Sequence, residues 1–392
     1  MPRHMKSPRK FDETSATCSK YVDQKHPVFK DIDDFVNHFC EDNTKARSIR
    51  KILVATNGIA AVNFIKSIRQ FLMQHFGNEK ILNFVCLTTE HEIQSEYLKM
   101  ADQLIFSPAG LNTNNCVNVD EIVEQATRNN VDAVWAGHAT ENPQLPEELN
   151  KRNIVFIGPP IKIPTIEWTG SGLIVESSGE GKEKGGGGNE LEISKELYLK
   201  ACVSTVEEGL LSMKEKNISY PVMIKSSKGC SGKGTRKCVS DEEFRLNFTS
   251  VQEEVPGSLI YLMKFMVDAR RIQVQLIGDH YGKVVPIFTR DCSIEGSSQK
   301  CIVPPEIKRQ MQMDAVTLAK KIGFVSAGTV EYMYLPSEQK YYFLKLNPRL
   351  QLEQKCTEMS ANINIPALQL QIAMGIPLHK ITETRLYCGM DG

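Results

Sequence analysis

Neither sign of charge predominates in this chain of 392 residues: 47 lysines and arginines stand against 47 aspartates and glutamates. That balance leaves no electrostatic footprint for nucleic acid or for a membrane surface. No apolar run approaches transmembrane length. Residues 1–10 are basic and polar and have no apolar h-region, so they are not a secretory signal, and residues 1–34 are expected to form a disordered basic tail. The eleven cysteines are scattered singly, without a Cys-x-x-Cys pair. This argues against a disulfide framework or a zinc site and for reduced thiols in the cytoplasm. The sequons at Asn217 and Asn247 are then accidental. There is no internal repeat, and the lone Gly58 after the first apolar strand is a helix-start turn rather than a dinucleotide fingerprint.

What is present is an alternation of strands and helices. A short apolar strand at 51–55 is followed by Thr56-Asn57-Gly58, then by a helix with Ala61, Val62, Ile65, Ile68, Leu72 and Phe76 at helical spacing. The cycle recurs as strand 83–87 with helix 92–101, strand 103–107 with helix 119–129, and strands 132–137 and 154–158. The order predicts a parallel α/β sheet over residues 35–160, with its working edge at the strands' C-terminal ends. Residues 161–189, which include four consecutive glycines, read as a flexible linker. Residues 190–266 read as a small α+β lid with strands 220–225, 236–239 and 259–266 and a helix over 241–254. From 267 to 392 strands dominate: 271–277, 283–289 and a hairpin, with a helix over 306–323 before it.

That hairpin joins Ala327-Gly328-Thr329-Val330-Glu331-Tyr332-Met333-Tyr334 to Tyr342-Phe343-Leu344-Lys345-Leu346-Asn347-Pro348-Arg349-Leu350-Gln351-Leu352-Glu353. The second run alternates apolar with polar, which predicts Lys345, Asn347, Arg349, Gln351 and Glu353 on one face. A turn centred on Glu338 places Glu331 opposite Lys345.

The stretch resembles the ATP-grasp core of biotin carboxylase, in particular the biotin carboxylase region of eukaryotic acetyl-CoA carboxylase. The family writes it E-L-N-P-R-L-Q-V-E-H, so Lys345 and Gln354 depart from it. The resemblance runs from about Phe35 to Met390 and includes Asn57-Gly58-Ile59-Ala60-Ala61, Arg290-Asp291-Cys292-Ser293 and Cys356-Thr357-Glu358-Met359. It implies an α/β architecture: a parallel N-terminal biotin carboxylase domain followed by a two-part α+β ATP-grasp module.

By resemblance Glu353 is the base that activates bicarbonate, while Arg349, Gln351 and Lys300 hold that anion. An anionic substrate needs fixed cations, and a carboxylate beside it can take a proton. The resemblance also implies ATP contacts from Lys225 and from the glycine loop of Gly229, Gly232 and Gly234, where Cys230 and Ser231 interrupt the family's consecutive glycines. The metal, Mg2+ or Mn2+, is normally held by two carboxylates; here the positions are Glu331 and Lys345, with Asn347 as a neutral ligand. Other departures accumulate. Arg271 stands where histidine is usual and Gln273 where glutamate is usual, and Glu295-Gly296-Ser297-Ser298 replaces Q-R-R-H. Two residues are missing before His138, and after Gly158-Pro159-Pro160 a helix carrying a phosphate-contacting lysine is absent, with Lys162 no replacement for it. The chain stops at Gly392, where the family continues, and has no biotinyl Met-Lys-Met. The expected function is therefore ATP- and bicarbonate-dependent carboxylation of carrier-bound biotin, impaired in this chain, with a biotinyl carrier or a full-length carboxylase as partner. The alternative is a non-catalytic interaction or regulatory protein.

Overall fold

The computed structural model describes residues 28–89, 92–107, 118–137, 144–159, 202–215, 218–227, 233–266, 268–293, 303–351 and 353–388. The first helix, α1 (Ile32–Phe39), is capped by the Asp31 carboxylate, which accepts the Asp34 N–H at 2.9 Å. Phe29 and Ile32 are already buried, so packing begins within the stretch read as a tail. Next come β1 (Lys51–Val54), α2 (Gly58–Phe76), β2 (Asn83–Thr88), α3 (Glu96–Lys99), β3 (Gln103–Phe106), α4 (Val119–Arg128), β4 (Ala133–Trp135), α5 (Gln144–Asn150) and β5 (Val155–Phe156). Every strand pair is parallel, in the order β3-β2-β1-β4-β5, as the strand–helix alternation demands. Helix α3 is shorter than the helix expected over 92–101. Glu92 instead holds a turn, accepting from Asn57 Nδ2 at 2.5 Å and from the Tyr97 hydroxyl at 3.0 Å.

The second unit, read from the sequence as a lid, holds α6 (Val206–Glu215), β6 (Val222–Ser226), β7 (Thr235–Cys238), α7 (Asp241–Glu254) and β8 (Ile260–Lys264), with an antiparallel sheet in the order β7-β6-β8. Phe244, Phe248 and Val251 of α7 are fully buried in a cluster with Val222 and Ile224 of β6. Gly234 leads into β7 with φ +67, and a Cβ there would lie 2.5 Å from Ser226 Cβ. Left-handed backbone and steric closure both require glycine at this position. Gly234→Ala is expected to destabilise the protein by about 1–3 kcal/mol, read by urea denaturation; an unchanged midpoint would contradict this assignment.

The third unit is an antiparallel sheet in the order β10-β9-β11-β12, built from β9 (Arg270–Gly278), β10 (Val284–Asp291), β11 (Ser326–Leu335) and β12 (Lys340–Asn347). Helix α8 (Pro305–Lys321) brings Met311, Ala315 and Ala319 onto one face, against Ile272, Val274, Val330 and Tyr332. Two helices follow the sheet, α9 (Gln354–Ala361) and α10 (Ile365–Ala373). Leu368 and Ile372 of α10 share a buried cluster with Phe64 and Ile68 of α2. Trp135, stacked on Phe64 at 4.0 Å, donates to Gln369 Oε1 at 3.4 Å, and Gln369 Nε2 donates to Ser326 Oγ at 3.1 Å. The N-terminal unit and the β9–β12 sheet are thus joined through one apolar core.

Candidate active site

Strand β9 alternates Ile272, Val274 and Leu276 with Gln273 and Gln275. The apolar set packs toward α8, which leaves the amides on the opposite face. On that face the register forms one cross-strand row: Arg290 of β10 opposite Gln273 of β9, Gln273 opposite Glu331 of β11, and Glu331 opposite Lys345 of β12. The order across the sheet is cation, amide, carboxylate, cation.

Hydrogen bonds bind this row together. Glu331 is buried, and its Oε1 accepts from Asn347 Nδ2 at 2.7 Å and from Gln273 Nε2 and Gln351 Nε2 at 3.1 Å each. The half-exposed Lys345 places its Nζ 3.7 Å from the same oxygen. Arg290 is wholly buried, and among the described residues its guanidinium donates to neutral side chains. Its Nε donates to Gln273 Oε1 at 2.7 Å, Nη1 to Thr357 Oγ1 at 2.5 Å and to Gln275 Oε1 at 3.3 Å, and Nη2 to Thr329 Oγ1 at 3.4 Å and to Gln351 Oε1 at 3.5 Å. Since guanidinium only donates and carboxylate only accepts, the amide orientations of Gln273 and Gln351 are fixed by chemistry. Both glutamines bridge Arg290 to Glu331. Burial draws the Arg290 pKa below the ordinary guanidinium value, opposed by the nearby Cys292 and Glu353. Burial likewise pushes the Cys292 thiol up to about 11, which keeps it from acting as a nucleophile at neutral pH.

The structure brings some of the expected site residues together and separates others. Glu331, Asn347 and Gln351 converge as described. The single strand face expected for Lys345 through Glu353 is not observed: β12 ends at Asn347, because Pro348 has no N–H for the ladder. Arg349 and Gln351 follow in irregular backbone, and Glu353 occupies the N-cap position of α9. Arg349 lines a cavity of about 80 Å³ between α2 and the hairpin exit, together with Ile59, Trp135, Gln351, Gln354 and Gln369. Lys225 lies on β6 of the three-stranded sheet, its Nζ 5.7 Å from the Tyr261 ring centroid. Gly234 offers little to a phosphate, since its N–H already donates to Glu254 Oε2 at 3.0 Å. Gly229, Gly232 and Lys300 lie outside the described residues, as do His138, Lys162 and the 161–189 linker. Arg290, Gln275 and Thr357 were not anticipated as site residues. The period-two amides of β9 were the available signal.

A metal ion held by a carboxylate pair does not fit this donor set. Glu331 Oε2 is buried without a hydrogen-bond partner and could be one ligand, but the position opposite carries an ammonium, which has no lone pair to give. Among the described residues no group of three or more His, Cys, Asp or Glu side chains could hold a metal.

Comparison with known proteins supplies the family. Residues 48–163 match the family described as "Biotin carboxylase, N-terminal domain", and residues 193–381 match "Carbamoyl-phosphate synthase L chain, ATP binding domain". The chain belongs to the biotin carboxylase family. It is 43% identical to acetyl-CoA carboxylase of Saccharomyces cerevisiae over 375 residues, which is 88% of this chain and 16% of that protein. It is 42% identical to acetyl-CoA carboxylase of Dictyostelium discoideum over 389 residues, 91% of this chain and 16% of the relative. The chain therefore spans only about a sixth of the length of these curated relatives. Biotin carboxylase of Campylobacter jejuni, solved as a complex with an ATP species, superposes with a TM-score of 0.71 at 26% identity, covering 86% of this chain and 73% of that one. The biotin carboxylase domain of Hydrogenobacter thermophilus 2-oxoglutarate carboxylase, solved with MgADP and bicarbonate, gives a TM-score of 0.68 at 29% identity, covering 83% and 70%. The parallel five-stranded sheet and the antiparallel sheets after it are the α/β architecture of these biotin carboxylases. Among the described residues no helix is long and apolar enough to cross a membrane.

Proposed function

We propose that this chain is an acetyl-CoA carboxylase-like biotin carboxylase domain whose metal-dependent ATP chemistry is impaired as it stands. The reaction of such a domain is ATP- and bicarbonate-dependent carboxylation of biotin on a carrier, so a biotinyl carrier or a full-length carboxylase is the partner this reading assigns. The homologues acetyl-CoA carboxylase and biotin carboxylase support the carboxylase-like half of the proposal. One observation carries the other half: Lys345 faces Glu331 where a divalent ion would need a second carboxylate. Phosphoryl transfer relies on metal and positioning to offset charge on the phosphate oxygens, and a single ammonium is a poor substitute for a divalent ion in that role.

Glu353 remains the assigned base, with Arg349, Gln351 and Lys300 as anion contacts and Lys225 as the ATP contact. Purified protein given ATP, Mg2+, bicarbonate and free biotin is expected to release phosphate no faster than its Glu353→Ala variant. A bicarbonate-dependent rate abolished by that substitution would overturn the impairment.

A further inference from the structure

The cross-strand row carries a net positive charge. Arg290 and Lys345 stand at its ends, and Glu331 is its only carboxylate. Glu331 Oε1 is already surrounded by three amide N–H donors and the Lys345 ammonium, which offset its charge without an added cation, while Oε2 has no hydrogen-bond partner. The Arg290 guanidinium donates to neutral groups among the described residues, with Glu353 as a nearby carboxylate, and its charge is felt through the bridging glutamines on the same sheet face. Arg271, two residues before Gln273 on β9 and therefore on that face, holds its Nε buried without a hydrogen-bond partner. Lys345 alone in the row is half exposed and can reach a ligand from solvent.

A sheet face of this polarity should attract a polyanion and repel a free divalent cation. We propose that the site takes the phosphate chain of a nucleotide in its metal-free form, with the Lys345 ammonium as a tethered counter-ion in place of a divalent one. The inference rests on the assignment of this chain as an ATP-binding carboxylase-like domain, and it adds the ionic form of the ligand. Metal-free ATP carries more negative charge than its magnesium complex, so preference for the free form is the direct expression of the row's charge.

Calorimetry tests the proposal with the full chain and ATP, in EDTA and in excess Mg2+. The wild type is expected to bind ATP about tenfold more tightly in EDTA than in Mg2+, the effect of roughly one uncompensated charge contact. Lys345→Glu should reverse the order. Lys345→Met keeps the apolar stem and adds no repulsion toward Glu331, so it should lose the EDTA advantage. Inorganic tripolyphosphate in EDTA should displace ATP, since the chain of phosphates is the recognised group. The inference is overturned if the wild type binds only with Mg2+, binds nothing in EDTA, or holds ATP against tripolyphosphate. Those results leave the carboxylase-like assignment standing, whereas that assignment's impairment fails separately, on bicarbonate-dependent turnover.

Discussion

Arg290→Met is expected to destabilise the protein by about 3–5 kcal/mol, the cost of removing one member of a buried, hydrogen-bonded charge network. The substitution removes a donor from Gln273 Oε1, Gln275 Oε1 and Thr357 Oγ1, all inside the protein, and of these Gln275 Oε1 keeps the Thr329 hydroxyl at 3.4 Å. Each stranded acceptor carries its own desolvation penalty. Glu331 then loses the cation that reaches it through two glutamines, and Gln351 loses one of its two anchors. Urea denaturation reads the effect directly, with circular dichroism to check that the fold is retained. A loss below about 1 kcal/mol would mean that the network contributes little to holding the sheet face together.

Much of the fold was legible because it depends on periodicity. The strand–helix alternation of residues 51–158 fixed a parallel sheet, since each helix must carry the chain back before the next strand pairs. The Glu331–Lys345 pairing was also read correctly, although the geometry behind it differs. The pairs nearest the turn, such as Leu335 with Lys340, run one residue out of step with a turn centred on Glu338. A bulge between Glu331 and Tyr332, with Leu344 as the additional residue, restores the pairing. A bulge leaves little trace in an alternating pattern. For the same reason the face from Arg349 to Glu353 was misjudged: polar residues at every second position continue past Pro348, but the strand does not.

The least legible part was the Arg290 network. Gln273 and Gln275 are buried in a strand whose neighbours are apolar, and only the register across three strands shows that Gln273 meets a guanidinium on one side and a carboxylate on the other. A single sequence gives strand identity and alternation; the row from Arg290 through Gln273 to Glu331 depends on long-range pairing that local pattern does not encode.

Lys345→Glu has the second large effect. It sets a carboxylate opposite the buried Glu331 and removes the ammonium 3.7 Å from its Oε1. Like charges directly opposite one another destabilise an antiparallel pair, and the buried partner cannot turn to solvent, so a loss of roughly 1–3 kcal/mol is expected without metal. The variant also rebuilds a two-carboxylate pair, which a divalent ion can bridge through Glu331 Oε2, now without a hydrogen-bond partner. Bound metal stabilises only the folded state, by up to about 2.7 kcal/mol at a hundredfold excess over the dissociation constant. Wild-type Glu331 and Lys345 attract without metal, and that contact favours the hairpin by roughly 0.2–1 kcal/mol. The decisive measurement is the melting temperature of wild type and Lys345→Glu, each with EDTA and with excess Mg2+. If Lys345 stands in for the metal, the wild-type value is the same in both buffers, while the variant melts lower in EDTA and recovers in Mg2+. A wild type that gains several degrees from Mg2+ alone, or a variant indifferent to it, would contradict the account.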